Sequence, residues 1–415
     1  MKDREVEKLI KSEEKRQASV INLIASENFV SSDVLRALGS VFTNKYAEGY
    51  SGKRYYGGNE VIDEVENLAK SRALKLFNLS PKKWSVNVQP YSGSPANMAV
   101  YYALLEPGDK IMGLSLPFGG HLTHGWKVNF SARFYKSVQY TINEDGFIDY
   151  REVRKLAKKE KPQLIVSGAT AYGRFFDFKK FATIAKEVGA YCLADIAHTA
   201  GLIAARIYPS PFPYADVVTA TTHKTLRGPR SAMIFANRES RIAKKKKVDI
   251  VQVVDRAVFP SLQGGPHENN IAAIAVCLKE AMGHNFKKYA QQVVRNAKVL
   301  AQELQKKGWR IVSGGTDSHL FLLDTFSRGI SGKTAQNLLE AEGIIVNKNT
   351  IPFDTRSPFD PSGIRIGTPA LTTRGMKEKE MKKIAFWIDE VISNSKPKIR
   401  VKNEVRKLCQ KFPIT

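Results

Sequence analysis

The chain has 415 residues, of which 43% are hydrophobic and 25% charged; this excludes a disordered chain and is more than one core of ordinary size holds. Its three cysteines, Cys192, Cys277 and Cys409, lie far apart with no disulfide or metal-type spacing, and no apolar run reaches the length of a membrane span. The formal net charge of +25 is unusual, but the lysines that thicken at 244–247 and from Lys377 to Lys411 come with no aromatic stripe or nucleic-acid motif, so a solvated basic surface is favoured over nucleic-acid binding.

The start, from Met1 to Glu5, lacks the apolar core of a signal peptide, and the cytoplasm is the expected compartment. Residues 1–18 are charged and weakly amphipathic and predict an exposed or partner-packed helix. Residues 21–59 are rich in Ser, Asn, Gly and Tyr, a mixture that lines sites more often than it fills space. From about Val61, apolar strand candidates alternate with helical stretches: Lys110–Leu114, Leu164–Gly168, Tyr191–Asp195, Val217–Thr221 and Ala232–Ala236, with helices such as Phe178–Val188 between them. That alternation predicts a mostly parallel sheet covered on both faces, with ligands gathered at the carboxyl ends of its strands. A helical stretch from Asn270 to Lys307, broken near Gly283 and His284, leads to a smaller α/β segment with strands at His319–Asp324, Ile344–Asn347 and Ile364–Gly367. No internal repeat is present. The expected organisation is an N-terminal arm over 1–60, a large domain over 61–275 and a small C-terminal domain over 276–415.

Three constellations carry chemistry. In Tyr91 to Asn97 (YSGSPAN), Ser94 before Pro95 reads as an N-cap followed by proline at the first helical position, and Gly93 allows close backbone approach. The free amides of such a turn suit a phosphate, although alone the motif fits an empty capped helix slightly better. In LADIAH, Asp195 ends an apolar strand and brings a carboxylate into a buried place, where it needs a cationic or hydrogen-bonding partner. A protonated pyridine nitrogen is one such partner, with His198 beside the same ligand; capping of the next helix is an even alternative. In VVTATTHKTLRGPR (217–230), an apolar strand ends in hydroxyls, His223 and Lys224, then a Gly-Pro turn. A lysine at a buried strand edge, ringed by Thr221, Thr222 and Arg227 or Arg230, has reason to hold a depressed pKa, as Schiff-base formation requires. A lone lysine after a strand is usually a surface residue; a phosphate site and an aspartate at neighbouring strand ends reverse that reading.

Along nearly its whole length the chain resembles the serine hydroxymethyltransferase family of fold-type-I pyridoxal-phosphate enzymes. The matching stretches include LIASEN (23–28), NKYAEGYSGKRYYGGNE (44–60), GGHLTHG (119–125), SGATAY (167–172), ADIAH (194–198), TTHKTLRGPR (221–230), QGGP (263–266), VSGGTDSHLFL (312–322), VNKN (346–349) and SGIRIGTPA (362–370). The resemblance implies an α/β fold-type-I transferase, with a mostly parallel mixed sheet flanked by helices in the large domain and a smaller C-terminal α/β domain. It implies reversible transfer of the serine hydroxymethyl group to tetrahydrofolate through a pyridoxal-phosphate aldimine, giving glycine and methylenetetrahydrofolate.

Carried over position by position, the resemblance makes Lys224 the Schiff-base residue. Asp195 pairs with the pyridine nitrogen, His121 stacks on the ring, and His198 and Thr170 lie near the phenolic oxygen. Ser94 and Gly93 hold the phosphate, and His223 joins the cofactor contacts. Tyr46 and Gly265 reach the phosphate from a neighbouring subunit, which implies a homodimer with shared sites and leaves a tetramer open. Arg365 clamps the substrate carboxylate with Ser26 and His198. Glu48 and Tyr56, again from the neighbour, sit at the substrate hydroxyl, with Glu48 best placed for proton traffic. Leu116, Leu122, Tyr55, Phe259 and Asn349 line the pterin pocket, and no metal is expected. The chain departs from the family at Thr170, where serine is common, and at Pro95, Phe118, Ser261, Leu262 and Phe353; none of these removes a group the chemistry needs. A folate-independent aldolase on threonine-like hydroxy amino acids would share the cofactor chemistry but needs none of Leu116, Leu122 and Asn349. Secondary RNA binding through the basic surface is the reading of another class.

Overall fold

Short apolar runs punctuated by glycine, proline or aspartate fold as seven strands of one sheet: β1 (Trp84–Asn87), β2 (Lys110–Leu114), β3 (Lys136–Tyr140), β4 (Leu164–Ser167), β5 (Tyr191–Asp195), β6 (Val217–Thr221) and β7 (Ala232–Asn237). The order across the sheet is β1-β7-β6-β5-β4-β2-β3, and every neighbouring pair is parallel except those made by β7, which runs antiparallel to both β1 and β6. Every residue of β4, β6 and β7 is buried, so these strands read as continuous apolar runs without alternation. The computed structural model describes residues 1–394 and 399–414, so residues 395–398 of the C-terminal basic stretch lie outside them.

The expected strands appear with small shifts that have local causes. β4 stops at Ser167, one residue early, because Gly168 has already turned to pass the next strand: a Cβ there would stand 2.3 Å from the Asp195 carbonyl oxygen. β1 and β3 carry polar residues and partly exposed positions, so neither stands out as an apolar run. The long helical stretch is two helices, Glu268–Ala281 and His284–Lys306, with Met282 and Gly283 between them. The N-terminal helix, Arg4–Ser19, is capped by Asp3 and buries none of its residues.

Two compact units share the chain. One comprises Val30–Thr170 and Phe175–Ala290 and contains the seven-stranded sheet; the other comprises Met1–Phe29, Ala171–Arg174 and Gln291–Thr415. The second has its own antiparallel sheet, β8 (Arg310–Ile311), β9 (Leu320–Asp324), β10 (Asn347–Asn349) and β11 (Gly363–Gly367), in the order β8-β9-β11-β10. Its core includes Trp309, Phe321, Ile364, Trp387 and Ile388. The strand expected over Ile344–Asn347 is divided: Ile344–Ile345 pairs in parallel with Ile21–Asn22, whereas Asn347–Asn349 pairs with β11. Among the described residues, no helix is long and apolar enough to cross a membrane.

Candidate active site

The parallel strands β4, β5 and β6 end side by side, with Ser167 opposite Ala194 and Asp195 opposite Thr219. Asp195, the last residue of β5, is therefore carried to the carboxyl edge of the sheet, where open α/β sheets bind ligands. Its Oδ2 accepts from Asn97 Nδ2 at 2.9 Å and from His124 Nε2 at 3.0 Å, and its Oδ1 accepts the Ala197 N–H at 3.0 Å. Asp195 does not cap the next helix, Ala200–Ala204, whose N-cap is Thr199. Burial pushes its carboxyl up, but the hydrogen bonds from His124 and Asn97, with the His124 and His121 imidazoles beside it, outweigh burial and hold it well below the usual carboxylate range.

The partners of Asp195 are themselves fixed. His124 Nδ1 accepts the His121 N–H at 3.3 Å, which leaves the proton on Nε2, facing Asp195. Asn97 turns its Oδ1 to the Thr219 hydroxyl at 2.8 Å and its Nδ2 also to Thr123 Oγ1 at 2.9 Å. The Thr123 hydroxyl in turn meets His121 Nδ1 at 2.7 Å. Burial, with help from His124 and Lys224, lowers the His121 imidazole to about 4, so the ring is neutral at physiological pH. His121, His124 and Asp195 bring their ligand atoms within 4.8 Å of one another. Within that group, the one proton-bearing nitrogen of His124 and the backbone and hydroxyl partners of His121 account for the geometry.

Lys224 lies on the connection between β6 and β7, three residues past Thr221, and is buried. That connection is tied to itself: the Thr222 N–H donates to the Ser231 carbonyl at 3.1 Å, and the Gly228 N–H to the Thr222 carbonyl at 2.7 Å. The Thr222 hydroxyl donates to the Pro229 carbonyl at 2.6 Å, and the Arg227 guanidinium stands 4.3 Å from the Tyr289 ring centre. His198 is buried, and its carbonyl accepts from the Thr225 hydroxyl at 3.0 Å. Burial and the nearby charge of Lys224 hold the His223 imidazole down at about 3. Thr170 donates through its hydroxyl to the Gly120 carbonyl at 2.8 Å, next to His121.

The helix at the proposed phosphate end runs from Gly93 to Leu104 and starts earlier than expected. Its N-cap is Ser92, without a side-chain cap bond, and Ser94 is already inside the first turn, which corrects the reading of Ser94 as N-cap. The early start follows from close packing at Gly93, where a Cβ would stand 2.7 Å from Thr221 Cγ2. Ser94 remains exposed on that first turn.

A second cluster forms around Glu48. The Tyr46 hydroxyl is 3.4 Å from Glu48 Oε1, and the Glu48 carboxylate pushes the Tyr46 phenol up. The Tyr46 ring lies edge-on to Tyr56 at 5.1 Å and covers Gly265, while Tyr55 packs edge-on to Tyr56 at 5.5 Å. Glu48, Tyr55 and Phe259 line one cavity of ≈ 470 Å³ with Ser261, Leu262 and Gly264. Substrate-hydroxyl and pterin candidates therefore meet there. Leu116 begins the 3-10 turn Leu116–Phe118, and Leu122, at 41% exposure, begins the turn after His121.

In the other unit, Arg365 on β11 donates through Nε to Asn347 Oδ1 at 3.1 Å, and its NH2 group is 3.5 Å from the Ser26 hydroxyl. Burial lowers its guanidinium to about 10, which leaves it charged at neutral pH. Asn349, at the end of β10, turns its amide to the Thr350 carbonyl at 2.7 Å.

A sequence profile of the serine hydroxymethyltransferase family matches residues 1–388. A serine hydroxymethyltransferase of Desulfotalea psychrophila is 52% identical over 414 residues, covering 99% of this chain and 94% of the relative. The chain belongs to the serine hydroxymethyltransferase family. Membership accounts for the α/β fold with a mostly parallel mixed sheet, and it makes the chain a transferase that interconverts serine and glycine with tetrahydrofolate. It gives no support to the aldolase or RNA-binding alternatives.

The residues present fit the pyridoxal phosphate that serine hydroxymethyltransferases imply. The buried His223 Nδ1 has no hydrogen-bond partner among the described residues, and an anionic group would supply one. Asp195 is a buried carboxylate whose Oδ1 has a single amide donor, leaving room for a protonated nitrogen. Sequence reasoning assigned no role to His124, Asn97, Thr123 or Thr219. Their one signal was position: Asn97 and His124 lie inside stretches already singled out, and His124 follows His121 at the spacing of a single turn.

Proposed function

We propose that this chain binds pyridoxal phosphate on Lys224 and uses the set described above for the family reaction. The observation that carries the proposal is Asp195, a buried carboxylate kept ionised at the carboxyl end of β5 by His124 and Asn97. When bound, pyridoxal phosphate supplies an electron sink for bonds broken at the alpha carbon of an amino acid. Asp195 would keep the pyridine nitrogen protonated, because a buried anion that already takes two donors on one oxygen favours a cation at the other. The neutral His121 ring would stack on the cofactor, the first turn from Gly93 would meet its phosphate, and Lys224 would hold it covalently. Arg365 would take the substrate carboxylate in a two-point contact with Ser26 nearby. Glu48 would hold and move a proton at the substrate hydroxyl, with Tyr56 beside it. Leu116, Leu122, Tyr55, Phe259 and Asn349 would line the pterin pocket.

The same reading makes the enzyme a cytoplasmic homodimer in which Tyr46, Glu48, Tyr56 and Gly265 serve the neighbour's site. The arm over 1–60 would supply part of that exchange, with cofactor binding in 61–275 and a small domain in 276–415. Borohydride reduction followed by peptide mass analysis should place a phosphopyridoxyl group on Lys224. Glycine formation from serine should require tetrahydrofolate. A folded, cofactor-loaded protein that forms no glycine would refute the assignment, and equal turnover without folate would point to the aldolase instead.

A further inference from the structure

The backbone around Glu48 is held by a buried polar cluster that none of the proposed roles uses. The Arg54 NH1 group donates to the carbonyls of Ala47 at 3.0 Å and Gly49 at 2.9 Å, on either side of Glu48. The Glu48 carbonyl accepts the Tyr55 N–H at 2.9 Å, and Gln89 Nε2 adds a second donor to Gly49 at 3.0 Å. Three consecutive carbonyls are therefore fixed while the Glu48 side chain faces the cavity. Gly49 permits this with φ of +101°, where a Cβ would stand 2.3 Å from the Lys53 carbonyl oxygen.

Arg54 is held in turn. Its side chain is 4% exposed, with NH2 2.9 Å from Glu66 Oε2 and Nε 2.8 Å from Asp63 Oδ1. Glu66 is fully buried and also takes Gln89 at 2.9 Å and Lys70 at 2.5 Å. Beside this group lies Glu268, 1% exposed, with neither carboxyl oxygen hydrogen-bonded among the described residues. The helix that Glu268 begins packs against helix Glu60–Leu76, helix Ser32–Leu38 and the turn Val41–Asn44. The charges acting on Glu268 are Glu66, Asp63 and Lys70 from the first of these and Arg54 from the antiparallel pair Gly49–Tyr50 and Lys53–Arg54; helix Ser32–Leu38 carries Asp33 and Arg36, and the turn carries no charge. With Glu268 neutral, Arg54 and Lys70 balance Glu66 and Asp63, two charges against two.

We propose that Arg54 is a positioning residue for Glu48, clamping the carbonyls on both sides of it, and that a neutral carboxyl at Glu268 keeps Arg54 turned to those carbonyls. The proposal rests on the catalytic reading of Glu48. An ionised Glu268 adds an unbalanced anion, competes for the guanidinium and loosens the clamp; burial and Glu66 place that ionisation at about 8.

The test uses the cofactor-loaded enzyme with serine and tetrahydrofolate. Arg54→Lys keeps the charge but loses the fork, so kcat should fall by about tenfold to a hundredfold, the scale of a small misplacement of a reacting group. The serine KM and the phosphopyridoxyl content of Lys224 should stay close to the parent's, which a general loss of structure would not allow. Should that variant not fold, Glu66→Gln keeps size and an acceptor and should show a smaller loss of the same kind. Turnover of the parent should decline above about pH 8, and Glu268→Gln should remove that decline. Parent-like kcat in both Arg54→Lys and Glu66→Gln, or an alkaline decline identical in parent and Glu268→Gln, overturns the clamp provided Glu48→Gln is impaired. Full turnover by Glu48→Gln would instead overturn the catalytic reading of Glu48, and the clamp's purpose with it.

Discussion

Replacing Glu268 by glutamine should raise stability by an amount that grows with pH. The carboxyl is 1% exposed, and burial reinforced by Glu66 raises it from 4.5 to about 8. In the unfolded chain the same group ionises near its ordinary value. Between pH 4.5 and about 8 the folded protein thus keeps a proton that the unfolded chain has lost, and stability falls as pH rises through that window. Each tenfold difference in proton affinity is worth about 1.4 kcal/mol, so the full window corresponds to about 5 kcal/mol at most. Arg54, Lys70 and the helix start on which Glu268 sits all favour the anion once it forms, and relaxation trims the penalty further. A realised difference of about 2–3 kcal/mol between pH 5 and pH 8 is the expectation. The amide of the variant cannot ionise, and any cost of burying it is the same at both pH values. Urea unfolding of parent and variant at pH 5 and pH 8, at one ionic strength, measures this as a difference in transition midpoints, which suits a chain of two units better than an extrapolated free energy. The variant's advantage should be small at pH 5 and large at pH 8. An advantage equal at both would show that Glu268 is ionised throughout, and would refute the charge balance assigned to the cluster.

Two further outcomes follow from the site. Asp195→Asn removes the anion but keeps the size, and steady-state turnover should fall by about 10²–10⁴-fold with the fold retained by circular dichroism. Gly168→Ala would place a Cβ 2.3 Å from the Asp195 carbonyl oxygen and 2.9 Å from its Cβ. It should destabilise by about 1–3 kcal/mol in thermal unfolding and weaken cofactor retention on dialysis, because the strain falls on the residue proposed to meet the ring nitrogen.

The strands that carry the site were legible because they are buried on nearly every residue: β2, β5 and β6 run over the ranges that their apolar sequences predict. β1 and β3, with polar and part-exposed positions, gave no comparable pattern. Asp195 stood out because it ends such a strand, and Lys224 because it follows the end of another by three residues. His124 could not be assigned a role, because its role is a contact of 3.0 Å with a residue 71 positions away, and no local spacing encodes that. The Ser94 reading missed for a similar reason: the helix starts where Gly93 clears Thr221, a tertiary condition invisible to the capping pattern. Arg54 and Glu268 drew no reading from the sequence, because the environment that matters to each exists only once the fold encloses it.

The reversal of β7 gives Lys224 a different mechanical footing from Asp195. A carboxylate on a parallel strand inherits its place from the whole sheet, because the chain must travel through a helix before it pairs again. The lysine rides on a short closed loop, from Thr221 to Ala232, whose two ends are paired with each other and whose middle is cross-tied at Thr222 and Gly228. Little chain entropy remains for that loop to gain or lose. In the proposed role of Lys224, the amine's arrival and departure would therefore fall to the four-carbon stem, rotating about its own bonds above a backbone tied at both ends.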